Sequence, residues 1–385
     1  MYYFCTMHIF PQQSLLINEF DKIKLLVEES CDGTGCREKA RKLQPVYGFE
    51  DVVIRLDQTD EFRRIISNSE PLHLDGYPDT ASDLKMLGIR NSVLLAPQFL
   101  QLLKLCRVMK QISIFFKESG SKYPALSHLL TDLIYDDSIA ASISVVIEDN
   151  GELRSNASPE LATIRKQINR KRLECDQIYQ QVMMRYRKNG WLTDSEESWR
   201  NGRRVISIFT EHKRSAKGVI HDISSTGKTC FIEPDEALPV NNILTELGED
   251  ERREIYKILK DLTEATRKYH KPLHQYASTI AEFDFVSAKA RVALQMDAWL
   301  PYIYNRPCID LKEARHPLLY IYHKAAGKTV IPFNLHLENE NRILVISGPN
   351  AGGKTVCMKT AGLLQVMLQS GMLVTADANS RFGFF

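Results

Sequence analysis

The sequence predicts a multidomain, mainly α-helical chain in which two long helices carry a small β segment and a strand–loop–helix α/β segment follows. Three observations carry that expectation. Apolar residues recur at spacings of three, four and seven over residues 158–188, and again from residue 253 onward. Between these stretches short alternating runs are broken by glycine and proline. Near the end an apolar, β-rich run meets a glycine-rich turn and then a helical stretch.

A chain of 385 residues has room for two or three domains, each with its own core. Its 50 basic and 48 acidic side chains nearly cancel, so bulk charge assigns no partner and charge must be read locally. The cysteines (Cys5, Cys31, Cys36, Cys106, Cys175, Cys230, Cys308, Cys357) are dispersed, with no Cys-x-x-Cys. That spread predicts reduced, packed thiols in a cytoplasmic protein, with Cys31 and Cys36 as incidental thiols flanking the turn "DGTG" in preference to a metal site there. No apolar run approaches membrane-spanning length, and "MYYFCTMHIF" lacks a basic flank followed by a long apolar stretch. Neither a membrane partner nor a secretory signal is expected.

In chain order, residues 1–157 read as a mainly helical core domain, with "PQFLQLLKLCRVMKQISIFF" opened by Pro97. "SISVVIEDNGELR" reads as a hairpin turning at Asn150-Gly151. An outgoing helix follows over 158–190, with Ser158 as N-cap and Pro159 at the first helical position. Leu161, Ile164, Ile168, Cys175, Ile178 and Val182 form its heptad-like seam, interrupted by Lys171 and Arg185. Residues 191–240 hold the small β segment. The returning helix, 241–300, contains "REIYKILKDLTEATRKY", with Ile255, Ile258, Leu262, Ala265 and Tyr269 in step. Pro272 predicts a kink before the pattern resumes through Leu273, Tyr276, Ile280 and Phe283. Residues 301–385 form the last segment.

Gly-Lys-Thr occurs twice, and a phosphate-gripping loop needs more than those three letters. A buried strand must deliver the chain to a turn whose N–H groups point inward, and a helix must start at once. Gly348, Pro349, Asn350, Ala351, Gly352, Gly353, Lys354 and Thr355 meet these conditions: "RILVIS" precedes them and "KTVCMKTAGLLQVMLQSG" follows, closed by Gly371. The upstream Gly227-Lys228-Thr229 has Asp222 where the first glycine should stand, and it runs into "CFIEP". "KGVIHDIS" and "KTCFIEP" read as two short strands around an "STG" turn, which makes Lys228 a basic hairpin side chain. The β segment is basic: Arg200, Arg203, Arg204, Lys213, Arg214 and Lys217 face one acid, Glu211. Such a patch suits a nucleic-acid backbone and equally suits a solvated hairpin.

Four stretches in order, "NASPELATIRKQINR", "AKGVIHDISSTGKTCFIEPDEALPVNN", "EARHPLL" and "ISGPNAGGKTVCMKT", resemble bacterial MutS-related proteins of the second type, paralogues of the mismatch-repair ATPase. The resemblance runs from about residue 14 to the end. "INEFDKIKLLVEESC" is similar to the family's first helix, which leaves both Met1 and Met7 open as the start. The resemblance implies a helical core, a lever helix, a β clamp, a returning lever and an ABC-type ATPase domain, without the mismatch-reading domains. It implies ATP and Mg²⁺ as cofactors: Gly348–Thr355 would cradle the phosphates, Lys354 would reach the β/γ-phosphates and the Thr355 hydroxyl would hold Mg²⁺. Val330 and Ile331 are candidates to pack on adenine or, equally, core strand residues; His316 reads as structural.

The family's Mg-binding Asp, catalytic Glu, signature loop and nuclease domain would lie beyond Phe385. The chain therefore reads as the front portion of a longer protein, carrying no catalytic residue of its own and not hydrolysing ATP efficiently. The implied function is an ATP-dependent, homodimeric DNA-binding protein acting on branched or recombination structures and restraining recombination. The alternative from the same architecture is a ribosome-associated ATPase acting on stalled ribosomes. A structural-maintenance-type ATPase fits worse, because its phosphate loop would precede the coil.

Overall fold

The structure, a computed structural model, describes residues 12–385 apart from 73, 75, 201, 339–342 and 350–352. It is mainly helical, with two four-stranded sheets. Two compact units divide the chain: Met1–Gly88 with Gln101–Ala141 and Tyr269–Phe385, and Ile89–Leu100 with Ser142–Lys268.

In the second unit, local chemistry sets the start of the helix Pro159–Lys188. The Ser158 hydroxyl accepts the Leu161 N–H at 3.0 Å, and Pro159 occupies the first helical position. This helix runs antiparallel to Leu238–Arg267: Ser158 bonds Glu254, Arg165 bonds Glu251 and Arg185 bonds Glu236, so partner numbers fall as the first helix advances. Leu161, Ile168, Cys175 and Val182 are buried on the expected spacing, and Tyr179 and Tyr186 join them. On the returning helix Val240, Asn241, Leu247, Leu259, Leu262, Thr263 and Thr266 are buried, whereas Ala265 is exposed. Both threonine hydroxyls donate back one turn, to the Leu259 and Leu262 carbonyls at 2.7 and 2.8 Å. They enter the packed face with their polar atoms satisfied.

Strands β1 (Leu192–Arg200), β2 (Arg203–Phe209), β3 (Gly218–Ile223) and β4 (Thr229–Pro234) form an antiparallel sheet in the order β1-β2-β4-β3. Alternate residues Ile206 and Ile208 of β2, with Cys230 and Ile232 of β4, pack on Cys175, Tyr179, Val182 and Tyr186 of the outgoing helix. The upstream Gly-Lys-Thr lies in the β3–β4 turn, with Gly227 at φ 70, Lys228 exposed and Thr229 opening β4. No helix follows it, so nothing there would present N–H groups to a phosphate. The Asn150-Gly151 turn forms, yet a single Ile147–Leu153 bridge takes the place of the expected strands. The helix Asp137–Ser144 has drawn in the residues before it.

The returning helix stops at Arg267 and a new one, His270–Gln295, begins in the first unit. The kink expected at Pro272 is thus a break just before it. Proline sits in the first turn, where its missing N–H costs nothing, and its ring excludes helical continuation from Lys268. His270–Gln295 is buried without interruption from Phe283 to Ala290, the mark of a central helix surrounded by others. Phe20, Ile23, Val27, Val52, Leu56, Val292, Met296 and Leu311 join the buried face of Lys354–Gln369 (Leu363, Leu364, Val366, Met367, Leu368) in one core. Strands β5 (Tyr302–Tyr304), β6 (Ile309–Ala314), β7 (Phe333–Leu337) and β8 (Arg381–Gly383) are ordered β5-β8-β6-β7.

Two expectations are overturned in this unit. Cys31 and Cys36 are joined in a disulfide and are buried, whereas Cys106, Cys175, Cys230 and Cys308 are buried free thiols. The bridge closes the loop whose Asp32 and Gly33 N–H groups donate to the fully buried Asp284 carboxylate, which also accepts the Tyr77 hydroxyl and pairs with Arg291. The second correction concerns "RILVIS". Arg342 lies outside the described residues, and Ile343–Ser347 belongs to no strand: Ile343 is 86% and Val345 82% exposed. A parallel strand is buried by neighbours on both sides, and no described strand pairs with this run.

Candidate functional site

The helix Lys354–Gln369 opens at Gly353, whose φ of 79 turns the chain sharply into the first helical residue. Cys357 N–H makes a bond to the Gly353 carbonyl, so the N–H groups of Lys354, Thr355 and Val356 have no partner within the helix, and among the described residues no side chain caps them. A helix end of this kind presents partial positive charge to whatever lies in front of it. The Lys354 amine reaches back to the Gly348 carbonyl, spanning the turn from end to end. Gly348 and Pro349 lead in exposed, and Thr355 is exposed. Asn350, Ala351 and Gly352 lie outside the described residues. The uncapped N–H groups, a lysine across the loop and an accessible threonine hydroxyl are the donor set that a Mg²⁺–nucleotide phosphate chain requires, so ATP with Mg²⁺ fits these residues.

A cavity of about 480 Å³ is lined by Thr355 and Val356 together with Leu318, Leu319, Tyr322, Lys359, Glu19, Lys22 and His316. His316 caps the helix Pro317–Ala325 through its backbone position and is 4% exposed; burial pushes its imidazole below the usual range. Its Nε2 lies 3.9 Å from Glu19, whose carboxyl is held low by the hydrogen bond from Lys22. Val330 and Ile331 fall in the irregular segment before β7, with Ile331 87% exposed. Neither is a core strand residue, which corrects that alternative.

The β1–β4 sheet sorts its cations into two groups. Arg200 pairs with Asp222 at 3.3 Å and lies over the Phe231 ring. Arg203 pairs with the buried Glu233 at 3.1 Å, and Arg204 with Asp176 at 2.5 Å and Glu197 at 2.9 Å. These three are tied into the sheet and its supporting helices. Lys213, Arg214, Lys217 and Lys228 are exposed, and among the described residues none has a carboxylate within 4.0 Å. Only this second group is free to neutralise an external phosphate.

No family model matches the chain. It is 31% identical over 357 residues to a protein named endonuclease MutS2 from Pelotomaculum thermopropionicum, covering 92% of this chain and 44% of that protein. Proteins of the same name from Alkaliphilus oremlandii and Bacillus velezensis are each 32% identical, over 376 and 378 residues, covering 97% of this chain and 47% of theirs. This chain is MutS-related. It spans about half the length of the curated relatives it matches.

In the MutS-related chain, sequence reasoning passed over two groups beside the candidate sites. Lys359, one turn past Thr355, and Lys22 and Glu19 from the helix region near the start meet only through the fold. Trp199, at the end of β1, is 68% exposed next to Arg200; its signal was an aromatic inside a basic run, which counting charges alone does not register. No described helix is long and apolar enough to cross a membrane.

Proposed function

We propose that this MutS-related chain binds ATP with Mg²⁺ at Gly348–Thr355 and contacts DNA through the β1–β4 sheet, which serves as a clamp. In this reading it acts on branched or recombination DNA and restrains recombination. The antiparallel helices Pro159–Lys188 and Leu238–Arg267 serve as levers, relaying nucleotide-dependent closure of a homodimer to the clamp. One observation carries the reading: the helix Lys354–Gln369 opens directly on the glycine turn with its first N–H groups uncapped and Lys354 laid across the loop. Bound Mg²⁺–ATP would supply a charged phosphate chain whose state the fold can sense. Lys354 and the first-turn N–H groups would hold the phosphates, the Thr355 hydroxyl the metal, and Val330 with the exposed Ile331 the base.

No residue of this chain is assigned to activating water, and the endonuclease activity in the relatives' names is assigned to none either. Equilibrium retention of labelled ATP with Mg²⁺ by the purified chain tests the proposal. Lys354→Ala removes a charged hydrogen-bond donor, and a loss of affinity of roughly ten- to a hundredfold is expected. Equal retention by Lys354→Ala and the unaltered chain refutes the assignment.

A further inference from the structure

Beneath the free end of the β1–β2 hairpin a cleft of about 630 Å³ opens between the sheet and the two antiparallel helices, within the range of about 300–1,000 Å³ typical of small-ligand sites. Trp199 lines it, and so do Arg172 and Arg252, one from each helix. Directly opposite Trp199 across the strand pair is Arg204, which also lines the cleft.

The charge in this cleft is unevenly committed. Its acids are already engaged, Asp176 by Arg204 at 2.5 Å and Glu251 by Arg165 at 2.8 Å. Arg203 and Arg204 are likewise held by carboxylates. Arg172 and Arg252 are exposed, and among the described residues neither has a carboxylate within 4.0 Å. The indole of Trp199 is 68% exposed and, among the described residues, stacks on no other ring and carries no cation over it. Arg252 donates only to the Gly248 carbonyl among the described residues, at 3.2 Å, so a site with two cations free of carboxylate partners and one open aromatic face matches a ligand that is anionic at one point and flat and π-rich at the next.

We propose that this cleft captures an unpaired nucleobase on the Trp199 indole while Arg172 and Arg252 hold the phosphates flanking it. The proposal rests on the nucleic-acid reading above and sharpens it: the clamp prefers strands with unpaired bases to continuous duplex. In duplex both faces of every base are stacked on neighbours and closed to an indole. In a tail or branch they are open, and base–aromatic stacking tolerates any sequence. DNA and RNA offer the same base-plus-phosphate chemistry, so the source is read from the experiment.

The test uses the full chain and three fluorescent ligands at one salt concentration: a blunt duplex, the same duplex with a single-stranded DNA tail, and the same with a single-stranded RNA tail. The unaltered chain is expected to bind a tailed duplex more tightly than the blunt one. Trp199→Ala should weaken binding to the preferred tail roughly tenfold, the loss of one stacked base, and leave blunt-duplex binding unchanged. Trp199→Phe, which keeps a stacking face, should retain most of the preference and shows that the loss is not misfolding. Whichever tail shows the Trp199-dependent gain names the source. Equal binding of blunt and tailed ligands, or a tail preference that Trp199→Ala leaves intact, overturns this proposal and leaves the nucleic-acid reading standing. Failure of the unaltered chain to bind any of the three overturns both.

Discussion

Lys289 is a buried ammonium with, among the described residues, no carboxylate against it, and removing its charge should stabilise the protein. It is 2% exposed on the central helix His270–Gln295 and donates to the Gly371 carbonyl at 3.1 Å, with its amine 5.1 Å from the centre of the Phe285 ring. Burial, with Arg55 adding to it and Glu282 opposing, pushes its pKa down to about 8. An ordinary lysine titrates near 10.4, so the charged form is disfavoured in the fold by roughly 3 kcal/mol. The sign follows from proton counts: between about pH 8 and pH 10 the unfolded chain binds the proton and the folded chain has lost it, so stability rises with pH across that window. At pH 7 the whole cost is present. Lys289→Met keeps the length of the side chain and removes the charge. The Gly371 carbonyl is not orphaned, because the Thr59 hydroxyl also donates to it at 2.9 Å. A gain of about 2–3 kcal/mol at pH 7 is expected, fading to little by about pH 10.5. Trp299 lies in the same unit as Lys289, so denaturant unfolding followed by its fluorescence in a Trp191→Phe, Trp199→Phe background reports that unit alone. A variant that is less stable at pH 7, or whose gain persists undiminished at high pH, refutes the buried-charge argument.

Three further outcomes are expected. Charge reversal at Lys213, Arg214, Lys217 and Lys228 together should flatten the salt dependence of DNA binding by about one log unit per lost phosphate contact without changing thermal stability; an unchanged slope means these cations are not the contact. The same reversal at Arg203 or Arg204 should instead lower the melting temperature, because each leaves a carboxylate partner unpaired. Denatured but unreduced protein should expose two fewer thiols than the fully reduced chain, those of Cys31 and Cys36, and reduction should cost roughly 2 kcal/mol of stability for so short a loop. Reaction of every cysteine before reduction excludes the bridge.

What the sequence could show was chemistry that acts within a few residues. Ser158-Pro159 opens a helix because the hydroxyl and the N–H it accepts are three positions apart. The "STG" turn makes a hairpin because its strands are adjacent in the chain. The helix after Lys354 is legible for the same reason, and so is its end at Gly371, whose φ of 73 suits a left-handed terminating position. The packed seam was legible only where burial and apolar character coincide. Thr263 and Thr266 are polar letters made core residues by bonds to their own helix, and Tyr179 buries its ring while its hydroxyl reaches the Arg204 carbonyl.

Pairing across the fold is where local reading stops, and it changes the functional meaning most. Arg200, Arg203 and Arg204 are indistinguishable in a charge run from Lys213 and Lys217. Their partners, Asp222, Glu233, Asp176 and Glu197, come from other strands or the outgoing helix, and only the folded sheet assigns them. A charge already neutralised by a carboxylate has little left to offer a phosphate, since capturing one would strand an acid, in the case of Glu233 one that is 1% exposed. The nucleic-acid surface proposed above is therefore not the basic run as written but its remainder: the four cations beyond Phe209, and the two arginines and one tryptophan around the cleft. The strand expected before the phosphate loop shows the converse. "RILVIS" has the composition of a buried strand, but burial belongs to the pair and not to the segment, and Ile343 and Val345 stay in solvent because no described strand lies alongside them.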